Sequence, residues 1–145
     1  MAIRAAKPSD IDAVYRLGLN ALESDPFDGL LIDKNKVRQT ALACVSSAKN
    51  FCMVSEVDGE IVAAVSAIVH QMMFYERQQA SVVQFYAEKP GEGVKLIREL
   101  FGWWKSRPGI KMLCFTIECG ADPRIIKLLQ RLGCKQELPV MMAIK

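Results

Sequence analysis

Hydrophobic residues along this chain follow a helical period in some stretches and an extended pattern in others. Apolar positions recur every three or four residues from Ile11 to Leu22 and again from Val37 to Ala48, as on one face of an amphipathic helix. From Ile61 to Val69, small and β-branched residues follow one another almost without a break, which is typical of a strand buried on both faces. The pattern predicts strands at residues 2–6, 51–57, 60–69, 79–87 and 110–117, and a last extended region that is interrupted at Pro139 and runs to Lys145.

Turn and cap residues separate these elements. Ser9 is a predicted N-cap for the first helix, and Asp58-Gly59 predicts a two-residue hairpin loop. Pro108-Gly109 and Gly133 are predicted to end the third and fourth helices. The order is β-α-α-β-β-β-α-β-α-β, with antiparallel strands first and crossovers later. We therefore expect a mixed α/β (α+β) fold with a mostly antiparallel sheet of six to seven strands and helices on both faces.

Composition narrows the class of protein. A chain of 145 residues fits one domain with one core, so we expect a single domain over residues 1–145. No apolar run approaches the roughly 20 residues that a membrane helix needs, so we expect no membrane segment. Five cysteines without a C-x-x-C spacing predict reduced thiols and a cytoplasmic location. The single histidine, His70, excludes a multi-histidine metal site, and we expect no metal.

Charge is distributed unevenly along the chain. Residues 88–135 carry ten Lys and Arg against five Asp and Glu, whereas the whole chain has a net charge of +3. A basic second part indicates either an anionic ligand or an ordinary solvated surface. The basic residues are scattered over predicted helices and have no aromatic platform beside them, so we do not expect nucleic acid as a partner.

Four segments carry a resemblance to a known family. They are Ile3-Arg4-Ala5-Ala6 followed by Pro8-Ser9-Asp10; Val54 to Val62 around Asp58-Gly59; Gly91-x-Gly93 with the helix after it; and Asp122-Pro123-Arg124 to Leu132-Gly133-Cys134. In this order and spacing the chain resembles the Gcn5-related N-acetyltransferase (GNAT) superfamily over nearly its whole length.

The resemblance implies a function and a set of binding residues. GNAT enzymes use acetyl-CoA as co-substrate and transfer its acetyl group to a primary amine; the acceptor here is unidentified. The glycine-rich turn and the start of the next helix would hold the pyrophosphate with backbone N–H groups, and the preceding strand would pair with the pantetheine arm. The implied coenzyme-binding residues are Phe85, Tyr86, Ala87, Gly91, Glu92, Gly93, Val94, Lys95 and Asp122. Lys89, Lys95, Arg124, Lys127 and Arg131 are either phosphate ligands or solvated surface charges.

Three positions depart from the family pattern. The family loop is Gln/Arg-x-x-Gly-x-Gly/Ala, and here Glu88 occupies its first position while Pro90 removes one N–H donor. Many members have a tyrosine four residues before the late glycine, and here that residue is Leu129. These departures leave open an alternative, a catalytically degenerate GNAT-fold protein with a binding or structural role.

Neither the catalytic base nor the acceptor site is assigned by a motif. His70, Glu76, Gln84 and Glu118 are candidate catalytic residues, although a glutamine is not a base. The loop after the first helix places Glu23, Asp25, Asp28 and Asp33 around Phe27, a composition that suits a cationic amine. The Met72–Tyr75 segment has three interpretations: the other wall of the acceptor site, a homodimer contact, or a small satellite core.

Overall fold

The computed structural model describes residues 2–24, 30–116, 123–135 and 141–145. These residues form the following elements: β1 Ala2–Ala5, a 3₁₀ turn Pro8–Asp10, α1 Ile11–Ser24, α2 Lys34–Ser46, β2 Phe51–Val57, β3 Glu60–Gln71, β4 Gln78–Ala87, α3 Glu92–Lys105, β5 Ile110–Cys114 and α4 Pro123–Arg131. Within the described part of the chain, no helix is both long enough and apolar enough to cross a membrane.

The described strands form one mixed sheet in the order β1-β2-β3-β4-β5. The first three pairings are antiparallel and β4 pairs with β5 in parallel. The predicted hairpin is confirmed, because Asp58 and Gly59 adopt φ values of 52° and 81° between β2 and β3.

The sheet has fewer strands than the sequence predicts. Five strands are present among the described residues instead of six or seven, and β5 ends at Cys114 rather than at residue 117. Residues 141–145, which the sequence places in a last extended region, are exposed and pair with no described strand. Periodicity identifies a segment that can extend, but a strand also needs a neighbouring edge to accept its hydrogen bonds.

Helices pack on both faces of the sheet, as predicted. On one face, Val14 and Leu17 of α1 and Cys44 of α2 pack against β2 and β3. On the other face, Leu96 and Leu100 of α3 are fully buried against the sheet. α4 packs onto α3, where Leu128 and Leu129 contact Ile97 and Phe101.

The first helix starts differently from the prediction. Lys7, not Ser9, is the N-cap of the 3₁₀ turn that leads into α1. The carboxylate of Asp10 accepts hydrogen bonds from the Lys7 backbone N–H at 2.7 Å and from Arg4 Nη1 at 2.6 Å, and Arg4 Nε donates to Glu56 at 2.9 Å. The hydrogen bond from Arg4 lowers the pKa of Asp10 although burial opposes that shift. This network connects β1, β2 and the start of α1.

Candidate functional site

β4 and β5 separate part of the way along the sheet. β4 continues to Ala87, but among the described residues it pairs with β5 only from Gln78 to Ser81. On its other side β4 stays paired with β3 as far as Ala87. The backbone of residues 82–87 therefore has one edge that no described strand covers, and such an edge can pair with an extended ligand.

An irregularity lies next to the point of separation. Ser66 pairs with Gln84 and Ala67 pairs with Val82, so β4 has an extra residue, Val83, at a β-bulge. A bulge bends its strand and increases the local twist. The bulge thus lies at the start of the uncovered edge of β4.

The first turn of α3 follows the uncovered edge. Its N-cap is Gly91, which has a left-handed φ of 85°. Glycine has no side chain, so the N-cap residue makes no side-chain hydrogen bond to the first-turn N–H groups. The Glu92 N–H donates to the Lys89 carbonyl at 3.4 Å, which is a long and weak hydrogen bond. Unpaired first-turn N–H groups and the helix dipole together make such a terminus suitable for an anion.

Gly93 has a role in the packing of α3 onto β4. It is buried, and a Cβ at this position would lie 2.6 Å from Cζ of Phe85 and 3.5 Å from Cβ of Ala87. Glycine at position 93 therefore allows α3 to pack closely onto β4. Gly91, by contrast, is exposed and has no atom within 4 Å of the point that a Cβ would occupy, so its role is the left-handed turn.

The carboxylate of Glu92 is directed into the protein. Glu92 is 8% exposed and accepts a hydrogen bond from the hydroxyl of Ser55, a fully buried residue of β2. Its other oxygen lies 3.9 Å from Nζ of Lys95. A polar Ser55 that directly follows the apolar residues 51–54 of β2 is the sequence signal for this contact, and the sequence-based predictions did not use it.

Glu88 also has a partner that the sequence did not suggest. It forms an ion pair with Arg16 of α1, whose other guanidinium nitrogen donates to the Ile61 carbonyl at 2.9 Å. The two charged residues are 72 positions apart and share no motif, so no sequence signal could have paired them. The carboxylate of Glu88, at the first position of the family loop, is thereby held against α1.

The other predicted coenzyme residues are distributed along the same edge. Phe85 and Ala87 pack towards α3, whereas Tyr86 packs towards α1 and α2, as the alternation of a strand requires. Val94 is 37% exposed in the first turn of α3. Asp122 lies outside the described residues. The basic candidates Lys89, Lys95, Arg124, Lys127 and Arg131 are all exposed.

The structure limits the choice among the predicted catalytic residues. Leu129 is 4% exposed in the interface of α4 with α3, so it completes a core. Gln84 donates to the Val14 carbonyl at 3.1 Å and fixes α1 on the sheet. Glu76 is exposed in the connection between β3 and β4, and Glu118 lies outside the described residues.

Two predicted surfaces have different outcomes. Met73, Phe74 and Tyr75 are 86%, 84% and 72% exposed, which rules out the satellite-core interpretation of the connection between β3 and β4. In the predicted acceptor loop, Glu23 and Asp33 are exposed, and Asp33 caps α2 by accepting from the N–H groups of residues 35 and 36. Asp25, Phe27 and Asp28 lie outside the described residues.

Solved structures share the fold of this chain, although their sequences are only distantly similar to it. No family model matches the chain, and no curated protein is significantly similar to it in sequence. An aminoglycoside acetyltransferase, HMB0005 from an uncultured soil metagenomic sample, superimposes with a TM-score of 0.69 at 17% identity, over 99% of this chain and 97% of its own. A second, meta-AAC0020 in complex with sisomicin, has a TM-score of 0.65 at 14% identity, over 99% and 96%. A transcriptional regulator from Bacillus halodurans C-125 has a TM-score of 0.71 at 16% identity, over 99% of both chains. The chain has the fold of the GNAT acetyltransferases.

Proposed function

We propose that this protein is an acetyl-CoA-dependent N-acetyltransferase that acts on a primary amine. The observation that carries the proposal is the uncovered edge of β4, which leads directly to the first turn of α3. An extended thioester arm can pair with the edge while its phosphates lie at the helix N-terminus. Acetyl-CoA supplies the activated acetyl group, and the chain binds it, orients it and receives the amine.

The length of the uncovered edge supports this assignment. From Val82 to Ala87 the strand spans about 17 Å, at about 3.3 Å per residue. The pantetheine arm contains roughly thirteen bonds between its phosphate and its sulfur, and at about 3.5 Å for every three bonds it extends over about 15 Å. With the phosphates at the Ala87 end of the uncovered edge, an arm of this length places the thioester near the Val82 end.

The charges at the first turn of α3 are compatible with a phosphate on its solvent side. The Glu92 carboxylate faces inward to Ser55, whereas Gly91, Val94 and Lys95 face outward. A phosphate on the outer side meets the exposed Lys95, whose Nζ also lies 3.9 Å from the Glu92 carboxylate.

Calorimetry with acetyl-CoA tests the binding step, and Val94→Glu with Val94→Gln as its matched control isolates the charge. Glutamate at this position places a negative charge where the phosphates bind but still suits a helix N-terminus, so both variants fold. We expect Val94→Glu to bind acetyl-CoA at least about tenfold more weakly than Val94→Gln, equivalent to about 1.4 kcal/mol. Wild-type protein that does not bind acetyl-CoA at millimolar concentration contradicts the proposal.

Turnover is then measured as thiol release from acetyl-CoA with three primary amines: sisomicin, spermidine and a lysine-containing peptide. Sisomicin is included because one protein of the same fold is described in complex with it. We propose a small-molecule acceptor, so sisomicin or spermidine is expected to react faster than the peptide. A preference for the peptide contradicts that choice of acceptor and leaves acetyl transfer intact.

A second candidate function is a GNAT-fold protein that binds acetyl-CoA without catalysis. The buried Leu129 favours it, because this residue cannot return a proton to the coenzyme sulfur, and so does Pro90, which removes a donor from the loop. Tight binding of acetyl-CoA without turnover of any of the three amines supports this second function over the first.

A further inference from the structure

A hydrogen-bonded group of three polar side chains lies beside the uncovered edge. His70 on β3 and Ser81 on β4 are neighbours on one face of the sheet, with Nε2 of the imidazole 2.8 Å from the serine Oγ. Gln79 Nε2 donates to the same Oγ at 3.1 Å. The other imidazole nitrogen, Nδ1, lies 3.2 Å from the backbone carbonyl of Gln71.

The partners determine which atom carries each proton. A carbonyl can only accept, so Nδ1 of His70 is the protonated nitrogen of the neutral ring and Nε2 is an acceptor. Because the Gln79 amide already donates to Ser81 Oγ, the serine O–H is free to donate to Nε2. The serine hydroxyl is thus held with its proton directed at an imidazole that can accept it.

This pair lies at the point where the two strands separate. Ser81 pairs with Cys114, and that is the last described pairing of β4 with β5. Val82, the next residue, begins the uncovered edge, and the extended length of the pantetheine arm brings the thioester to it. His70 is exposed, so its side of the pair is open to an approaching molecule.

We propose that Ser81 and His70 form the proton-accepting pair of the acetyl transfer, an assignment that rests on the proposed function. The amine nitrogen bonds to the thioester carbonyl carbon and the carbon–sulfur bond breaks, with its electron pair leaving on sulfur. The amine gives one proton to Ser81 Oγ while the serine proton passes to Nε2 of His70. The imidazolium then returns a proton by the same route to the thiolate, so the products are an amide and a free thiol.

The other polar side chains near the uncovered edge of β4 make hydrogen bonds to other parts of the protein. Gln84 holds α1, and the Glu92 carboxylate is buried against Ser55. In many family members a tyrosine on the late helix can return the proton to the sulfur. Here that position is Leu129, which is part of the core and cannot donate a proton. The His70–Ser81 pair supplies both the acceptor and the returning proton, and thereby removes the main objection to catalysis.

Nuclear magnetic resonance tests the geometry without any acceptor. His70 is the single histidine, so its ring nitrogens give unambiguous long-range ¹H–¹⁵N signals. We expect the Nδ1–H tautomer in the wild type, a change in the Nε2 shift in Ser81→Ala, and a change in the ring signals when acetyl-CoA is added. An Nε2–H tautomer, or bound acetyl-CoA that leaves the ring signals unchanged, overturns the assignment.

Kinetics with acetyl-CoA and either sisomicin or spermidine test the role. A positioned base contributes about 10²–10⁴-fold, so Ser81→Ala and His70→Gly are expected to lower kcat by about 10²-fold or more, with little change in the KM for acetyl-CoA. Ser81→Thr, which keeps a hydroxyl, and imidazole added to His70→Gly are expected to restore much of the rate. Gln71→Ala is the matched control, because it keeps the backbone carbonyl that Nδ1 contacts.

The outcomes separate the two proposals. Turnover by the wild type that persists at full rate in Ser81→Ala and His70→Gly overturns the pair and leaves the acetyltransferase assignment intact. Binding of acetyl-CoA without turnover by the wild type overturns both. A loss of kcat that Gln71→Ala shares equally, or that neither Ser81→Thr nor imidazole restores, points to local disruption and also overturns the pair.

Discussion

Replacing Gly93 with alanine adds one methyl group where α3 contacts β4, and we expect it to destabilise the protein. The new Cβ would lie 2.6 Å from Cζ and 3.1 Å from Cε2 of Phe85, whereas carbon atoms in contact prefer about 3.5–4.0 Å. Either the ring or the helix must therefore move by about 1 Å. Phe85 packs against two hydrophobic clusters that both include residues of α3, so the ring has little room to turn away.

The magnitude follows from two opposed effects. Overpacking of a close contact costs about 1–3 kcal/mol, whereas replacing glycine with alanine in a helix gains about 0.5–1 kcal/mol. The net expectation for Gly93→Ala is a loss of about 1 kcal/mol, within a range of about 0–2.5 kcal/mol. Gly102 in the same helix is exposed and has nothing within 4 Å of an added Cβ, so Gly102→Ala is expected to gain about 0.5–1 kcal/mol.

Urea unfolding measures the free energy of unfolding of both variants. The transition is monitored by far-ultraviolet circular dichroism and by the fluorescence of Trp103 and Trp104 on α3. Phe85→Leu shortens the obstructing side chain, so combining it with Gly93→Ala is expected to recover at least about 0.5 kcal/mol of coupling energy. The reasoning is refuted when Gly93→Ala is as stable as Gly102→Ala, or when the double variant shows no coupling.

Three further predictions concern stability and reactivity. Because Arg4 lowers the folded-state pKa of Asp10, the stabilisation by this carboxylate is complete above its ordinary pKa near 4 and is lost as pH falls through the lowered value. Asp10→Asn is therefore expected to cost about 2 kcal/mol at pH 7, with a difference from the wild type in urea unfolding that shrinks below about pH 4; a constant difference down to pH 2 contradicts this. Burial raises the pKa of the Cys44 thiol to about 12, so iodoacetamide at pH 8 is expected to spare Cys44 in the folded protein and to label it in urea, as measured by mass spectrometry of peptides; rapid labelling without denaturant is the opposing result. Asp33→Ala removes the side-chain acceptor of two N–H groups at the start of α2 and is expected to cost about 1 kcal/mol, whereas Asp33→Ser retains most of that stability in the same unfolding assay.

Local signals in the sequence were sufficient for most of the architecture. The hairpin at Asp58-Gly59, the glycine that starts α3 and the helical stripes each depend on backbone preferences and periodicity within a few residues. The N-terminal cap was predicted at Ser9 but lies at Lys7, because the carboxylate of Asp10 is held by Arg4 and accepts from the Lys7 N–H. A cap that depends on a residue of another element does not appear in a local pattern.

The arrangement of residues in the candidate site depends on contacts between positions that are far apart in the sequence. The sequence by itself determined that a glycine-rich turn follows a strand and precedes a helix, and it therefore predicted one end of the candidate site. Tertiary structure decided that Gly93 serves packing, that Glu92 faces Ser55 and that Glu88 pairs with Arg16. It also placed His70 beside Ser81 at the separation of β4 and β5. Strand register sets these neighbours, and register depends on the hydrogen bonds and side-chain packing of the whole sheet.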